Sequence, residues 1–363
     1  MNVCLIGNNL TTLSLAKNLT NKNIKVFNYA QIIKNESNTR TIGITNDNLK
    51  FFNKEILNIK KKMIWDIEKI NVYSEKYKKQ KILNFEDHKK SLFHMIKDNE
   101  IYNLLEKNLK KNFLYKKICL NNNNLLKKIT KKNFDLIINC DQNNVISKEL
   151  FFKKIKKQYN SKAFTCIINH KPINNKTASQ IFTKHGPIAF LPLSNSKTSI
   201  VFSIDINKIK FTKIKVIDLI NYYNFKYQIK NFSEIDEFDL SFSVLRNYFQ
   251  KNILAFGDML HKVHPLAGQG FNISLRDLQV LSKIIKKKID LGLPLDISIF
   301  KEFENNTKHY NYIFTSGIDF IYEFFKFDYK IKNNISNIFF KIIDKNKNFN
   351  KFFSSYANKG LVL

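Results

Sequence analysis

The sequence predicts an α/β fold: a strand-helix-strand domain assembled from separated stretches of chain, an antiparallel sheet inserted into it, and helices at the carboxyl end. Three observations carry this. Residues 2–6, NVCLI, form a short apolar run ending at Gly7, followed by Leu10, Leu13, Ala16 and Leu19 at helical spacing and a second apolar run at 24–27. Residues 155–250 change to extended segments punctuated by Gly186, Pro187 and Pro192. Residues 253–256 then return to a buried-strand pattern, followed by a glycine-rich loop and a long helical stripe. The expected division is 1–60, 90–150 and 250–292 in a discontinuous first domain, 61–89 and 151–249 in the inserted sheet domain, and 293–363 in the C-terminal helices.

Taken in order, the first strand, helix and second strand open like a dinucleotide-binding βαβ unit, but the G-x-G-x-x-G places read Gly7, Asn9 and Thr12. Asn28 closes the second predicted strand, where an acidic residue commonly holds ribose hydroxyls. A nucleotide site and a purely structural unit both fit. Arg40 follows in NTRTIGIT. The pattern then predicts a helix over 51–65, strands over 70–72 and 82–85, and a helix carrying Ile101, Leu104, Leu105 and Leu109. A buried strand at 134–138 ends in Asn139, Cys140 and Asp141. A carboxylate there faces the ligand crevice of an open α/β sheet, or serves as a helix cap or turn residue.

In the inserted region, extended segments at 163–169, 180–183, 188–193 and 199–206 are followed by a helix over 216–225. The tail carries one stripe at Phe314, Ile318, Ile321 and Phe325 and another at Ile331, Ile335, Ile338 and Ile342. Such stripes form core by default; the alternative is an apolar substrate or membrane contact.

At 363 residues and 44% hydrophobic, the chain is long enough for two cores. No 18-residue apolar run exists, and MNVCLIG enters a strand directly, so a cytoplasmic location is expected. The cysteines Cys4, Cys119, Cys140 and Cys166 lack metal-ligand or disulfide spacing, and no metal site is expected. A net charge of +31 would suit nucleic acid, but the lysines are spread evenly and lack interleaved aromatic motifs, so no nucleic-acid partner is expected. A basic surface still attracts anionic lipid. Only three arginines, Arg40, Arg246 and Arg276, occur among 61 basic residues. Each therefore marks a site where a planar guanidinium does what an ammonium cannot.

The most informative stretch is NILAFGDMLHKVHPLAGQGFNISLRDLQVL, residues 252–281. Its loop carries Gly257, Asp258, His261, His264, Pro265, Gly268, Gln269 and Gly270, and a helix starts behind it. Backbone N–H groups in such a loop approach a ligand without Cβ hindrance, and the helix N-terminus favours negative charge. His261 and His264 are read as either proton-handling or loop-structural residues.

The segment GDMLHKVHPLAGQGFNISLRD resembles the G-D-A-A-H and H-P-x-A-G-Q-G-x-N-x-G-x-x-D signature of class A flavin-dependent monooxygenases, and within them the ubiquinone-biosynthesis hydroxylase (2-octaprenyl-6-methoxyphenol hydroxylase) family. Arg40 within TRTIGIT, Trp65, GPIAFLPL at 186–193 and FDLSFS before Arg246 are similar to further family segments in the same order. The departures are Asn9, Thr12 and Asn28, the pair Asp141 and Gln142 where the family has D-G, Met259 and Leu260 for two small residues, and Ser274 for the last glycine.

The resemblance implies an FAD-binding, Rossmann-like domain and a substrate-binding sheet domain. It places the ADP half of FAD along Gly7, Asn9 and Thr12 with Asn28, Arg40 and Asp141 nearby. Gly257 and Asp258 meet the ribityl chain, and Pro265, Gly268, Gln269, Gly270, Phe271 and Asn272 meet the flavin. Pro265 and His264 are the implied catalytic positions. Reduction by NADH or NADPH and reaction with O2 then give a C4a-hydroperoxide that hydroxylates a polyprenylated phenol. Implied partners are a quinone-biosynthesis assembly and peripheral membrane lipid, on the inner face of the cytoplasmic membrane. The alternative is a flavin-poor scaffold subunit of such an assembly.

Overall fold

The computed structural model describes residues 1–31, 39–77, 80–86, 90–119, 125, 129, 132–206, 212–265 and 269–329. Its first sheet is built from β1 (Asn2–Ile6), β2 (Lys25–Ala30), β8 (Tyr115–Cys119), β9 (Leu136–Asn139), β16 (Phe249–Gln250) and β17 (Ile253–Ala255), in the order β16-β17-β9-β1-β2-β8. All neighbours pair in parallel except the β16–β17 hairpin. Parallel strands are covered on both faces, which is why NVCLI and the run at 253–256 read as continuous apolar segments.

Helices α1 (Leu10–Thr20), α3 (Asp98–Lys110) and α6 (Gln269–Asp290) share one core with this sheet. Leu5, Leu13, Leu105, Ile138, Leu254 and Leu281 are all fully buried there. Each such side chain contributes about 1.5–3 kcal/mol by leaving water. From β1 the chain steps outward to β2 and β8, then returns to the other flank for β9 and β17. The reversal lies between β1 and β9, and the crevice beyond their carboxyl ends is where open α/β sheets take ligands.

A small antiparallel sheet, β3 (Thr41–Thr45), β4 (Trp65–Ile67) and β7 (Phe93–Lys97), has the order β3-β7-β4, and α2 (Asn46–Glu55) follows β3 directly. The helix expected over 51–65 is thus a correction: α2 ends at Glu55 and Trp65 opens β4. Phe51, Phe52, Ile56 and Ile59 are buried as the helical pattern predicts, but Asn53 turns back to accept from the Ile59 N–H and the chain leaves the helix.

The second large sheet comprises β5 (Lys69–Ser74), β6 (Gln80–Glu86), β10 (Lys154–His170), β11 (Thr177–Thr183), β12 (Gly186–Pro192), β13 (Lys197–Asp205), β14 (Ile229–Phe232), β15 (Asp236–Leu245) and β18 (His261–Lys262). Its order is β18-β15-β10-β13-β12-β11-β5-β6, with β14 also on β10. Only the β5–β11 pair is parallel. Gly186 makes the β11–β12 turn possible: at φ +130°, a Cβ there would fall 2.1 Å from the Ser203 carbonyl oxygen. After a short helix, α4 (Val145–Leu150), had led into β10, a further helix, α5 (Lys213–Tyr223), covers this sheet with Val216, Ile220 and Tyr223 against Ile168, Ile200 and Phe202.

The last described helix, α7 (Ser298–Asp328), has 31 residues. Phe314 and Ile318 bury against Ile273 of α6, and Phe325 stacks on Phe182 of β11. The first tail stripe is therefore core. The second, Ile331 to Ile342, lies outside the described residues. Among the described residues, no helix is long and apolar enough to cross a membrane.

Candidate functional site

The crevice between β1 and β9 is lined by the turns that follow β1, β9 and β17. Gly7, at φ +136°, leaves β1, and a Cβ there would fall 2.7 Å from Thr12 Oγ1. Asn9 caps α1 in extended conformation: its Oδ1 accepts from Thr12 N and from Thr12 Oγ1, each at 2.9 Å. Its Nδ2 donates to the Cys140 carbonyl at 2.9 Å, across the gap to the end of β9. Asn8 Oδ1 accepts from Tyr102 OH of α3 at 2.9 Å.

From the β17 side, Gly257 (φ +65°) presses on the first turn of α1, so close that a Cβ would fall 2.7 Å from Thr11 Cγ2. Asp258 follows, half-buried, its carbonyl held by the Gln142 side chain. Asp141 Oδ1 accepts from Asn143 N at 2.9 Å, and Asn144, not Asp141, caps the following helix. Asp141 makes a local turn at the rim.

Asn28 sits elsewhere than the sequence suggested. The strand β2 runs on to Ala30, leaving Asn28 two residues short of its end, fully buried and donating to Tyr115 OH at 2.9 Å. Arg40 is exposed at the start of β3, and its carbonyl accepts from the Asp98 N–H at 3.1 Å. Asp98, first in α3, was not singled out by sequence. Burial pushes its carboxyl pKa above the usual range; Arg40 opposes this and the Asp258 carboxylate adds to it. Arg40, Asp98 and Asp258 thus share one neighbourhood, and Asp98 Oδ1 is buried without a hydrogen-bond partner among the described residues. An acid in a helix's first turn is too common a signal to have marked it.

The glycine-rich loop divides into structural and open parts. His261 Nε2 lies 2.8 Å from Asp277 Oδ2 of α6, and Asp277 Oδ1 accepts from Asn311 Nδ2 of α7 at 2.8 Å. His264 is buried between Tyr159, edge-on, and Tyr322, stacked at 4.2 Å between centroids. Neither of its nitrogens has a partner among the described residues, and burial pulls its pKa down to about 3. Pro265 beside it is half-buried. Gly268 lies outside the described residues, as does the side chain of Gln269, whose backbone starts α6.

Among the described residues, nothing lies within 4 Å of where the Gly270 Cβ would be. Phe271 is buried. Asn272 is fully occupied by protein, accepting from Thr45 N and Asn48 Nδ2 and donating to the Gly43 carbonyl at 2.7 Å. It fastens α6 to the β3–α2 junction. Arg276 lies 4.2 Å over the Phe314 ring, a contact that uses the planarity of the guanidinium. Arg246 is exposed just before β16.

This arrangement fits a flavin dinucleotide at one end. The orphaned Asp98 oxygen is what a hydroxylated chain satisfies, and the bare flank of Gly270 admits a flat ring system against backbone. At the β1 turn the fit is tighter, because Asn9 already bonds the α1 N-terminus. Among the described residues no cluster of His, Cys, Asp or Glu is placed to hold a metal.

No family model matches the chain. By sequence it is similar to the ubiquinone biosynthesis monooxygenase COQ6, mitochondrial, of Caenorhabditis elegans, 24% identical over 214 residues, covering 47% of this chain and 48% of that one. It is 28% identical over 154 residues to the 3-demethoxyubiquinol 3-hydroxylase of Escherichia coli, covering 39% and 38%. The chain spans about half the length, or less, of the curated relatives it matches. By structure it is similar to p-nitrophenol 4-monooxygenase PnpA of Pseudomonas putida, TM-score 0.75 at 11% identity over 99% of this chain and 98% of that one. HpxO of Klebsiella pneumoniae, complexed with FAD and uric acid, gives 0.72 at 11% identity over 99% and 97%. At such identities the structural likeness establishes the fold, and the fold is that of FAD-dependent monooxygenases.

Proposed function

We propose that this chain, which shares its fold with FAD-dependent monooxygenases and its sequence pattern with ubiquinone-biosynthesis hydroxylases, is an FAD-dependent hydroxylase of a polyprenylated phenol in ubiquinone biosynthesis. The observation that carries the reading is the meeting, at the β1–β9 switch point, of the Gly7 turn and the Gly257–Asp258 turn, with α6 packed on both α1 and the 257–259 turn.

FAD, once bound and reduced by NADH or NADPH, would supply the oxygen chemistry, with one atom of O2 going to the ring and the other leaving as water. In this assignment Asp258 and Asp98 hold the ribityl hydroxyls, Arg40 faces the diphosphate, and the backbone at Gly270 approaches the ring system. Positive charge at the α6 N-terminus stabilises an anionic ring edge. Pro265 would line the ring system's pocket. His264, neutral and sandwiched between two tyrosine rings, keeps the loop dry rather than moving a proton. A substrate with a polyprenyl tail brings the protein to the membrane surface and into company with other enzymes of the pathway.

The test is the visible spectrum of gently purified protein before and after incubation with FAD and desalting, followed by donor-dependent O2 consumption with phenolic quinone precursors. A resolved flavin band with turnover supports the reading. A protein that neither retains nor rebinds FAD overturns it in favour of a flavin-poor scaffold, the second reading, which the occupied N-terminus of α1 favours.

A further inference from the structure

Resting on the FAD reading, we infer that Asn9 is a built-in competitor for the cofactor's diphosphate, and that its side chain sets how tightly this protein holds FAD. Ligands of open α/β sheets take their diphosphate at the N-terminus of the helix after β1, on backbone N–H groups that glycines leave bare. Here that place is filled from within. The Asn9 carboxamide accepts from Thr12 N and Thr12 Oγ1 on one side and donates to the Cys140 carbonyl on the other, each bond at 2.9 Å. It therefore spans the crevice from the first turn of α1 to the end of β9.

The surroundings reinforce this. The hydroxyl of Thr12, standing at the third glycine place, fills the space above Gly7 and is itself bonded to Asn9. Asn8 is tethered to Tyr102, so the turn is held from two directions. Two carboxylates, Asp98 and Asp258, share this neighbourhood and repel each other, while the Arg40 guanidinium favours the charged form of Asp98. A diphosphate entering this crevice must displace the carboxamide and then relies on Arg40 for its charge. Capping side chains of this kind satisfy the helix as an anion would, so the apo protein gives up hydrogen bonds on binding that a glycine in the same place would not have.

The experiment compares FAD dissociation constants, from quenching of flavin fluorescence, for the parent full chain, Asn9→Gly and Asn9→Asp, with ligand-free melting curves as the check on folding. Glycine keeps an acceptable helix start and empties the crevice; tightening of about tenfold, the equivalent of roughly one net hydrogen bond, is expected. Aspartate keeps the cap and adds a negative charge, so FAD binding weakens. The direction distinguishes this from a structural role, in which loss of the cap would loosen the site and weaken binding by the glycine variant. Unchanged or weaker FAD binding by a folded Asn9→Gly protein overturns the inference while leaving the flavoprotein reading intact. Absence of FAD binding by parent and variant alike overturns both.

Discussion

His261 Nε2 and Asp277 Oδ2 lie 2.8 Å apart with both side chains almost wholly removed from solvent. The pair joins β18 to the third turn of α6, and Asn311 extends it into α7. Removing His261 leaves the buried Asp277 with Asn311 alone, and removing Asp277 leaves His261 Nε2 buried without its partner. His261→Ala or Asp277→Ala is expected to lower stability by about 3–5 kcal/mol, read from the midpoint and slope of a urea unfolding curve. A loss below about 1 kcal/mol would contradict the pairing.

Gly257 and Gly270 should respond in opposite ways. Alanine at 257 meets Thr11 at 2.7 Å in a left-handed conformation, so a stability loss of about 1–3 kcal/mol is expected. Alanine at 270 meets nothing within 4 Å among the described residues and improves helix propensity by up to about 1 kcal/mol. Its melting temperature should hold or rise while FAD affinity falls, because the methyl group enters the ligand's space. Melting curves and FAD titrations of both variants decide this.

Asn272 is expected to act on stability before it acts on ligand. Asn272→Ala leaves the Gly43 carbonyl and Thr45 N–H without their shared side-chain partner, while the Asn48 amide keeps its bond to the Asn272 backbone carbonyl. A cost of about 2–4 kcal/mol follows from stranding buried polar groups. Amide hydrogen exchange should show faster opening at 43–48 than elsewhere; uniform exchange would argue against the role.

His264 makes stability depend on pH in a predictable direction. Its folded pKa is lowered to about 3, against roughly 6.5 when unfolded. The unfolded chain therefore binds the extra proton first, and this contribution is complete above about pH 6.5 and is lost as pH falls toward 3. His264→Phe places an unpolar ring between Tyr159 and Tyr322. It should flatten that part of the stability profile between pH 6.5 and 3 and, on the proposed function, leave turnover in place. Loss of turnover in a stably folded variant would instead assign His264 a proton-transfer role.

The parts of the fold that bury both faces of a strand were legible from sequence. NVCLI and the run at 253–256 sit in the parallel sheet because nothing polar interrupts them. The leading half of β10 was not legible. In Lys154–Gln158 it pairs only with β15 and its side chains are largely exposed, so no apolar period marks it. Residues 51–65 misled because the spacing of Phe51, Phe52, Ile56 and Ile59 suits a helix as well as a buried turn. At the site, glycine and acid positions announced the loop. Asn9 was marked only as a departure at the second glycine place, not as a cap, and Asp98 did not stand out, because capping residues and ligand-binding residues are drawn from the same few side chains.

The 31-residue helix α7 is fastened from its middle to its last turn. Asn311 reaches Asp277 of α6, while Asp319 accepts from Lys157 and Tyr159, Tyr322 bonds Ser161, and Lys326 pairs with Asp205. One rigid rod thus bridges the parallel and antiparallel sheets. Neither half can swing open alone without tearing a row of polar contacts, so the two sheets should melt as a single cooperative unit.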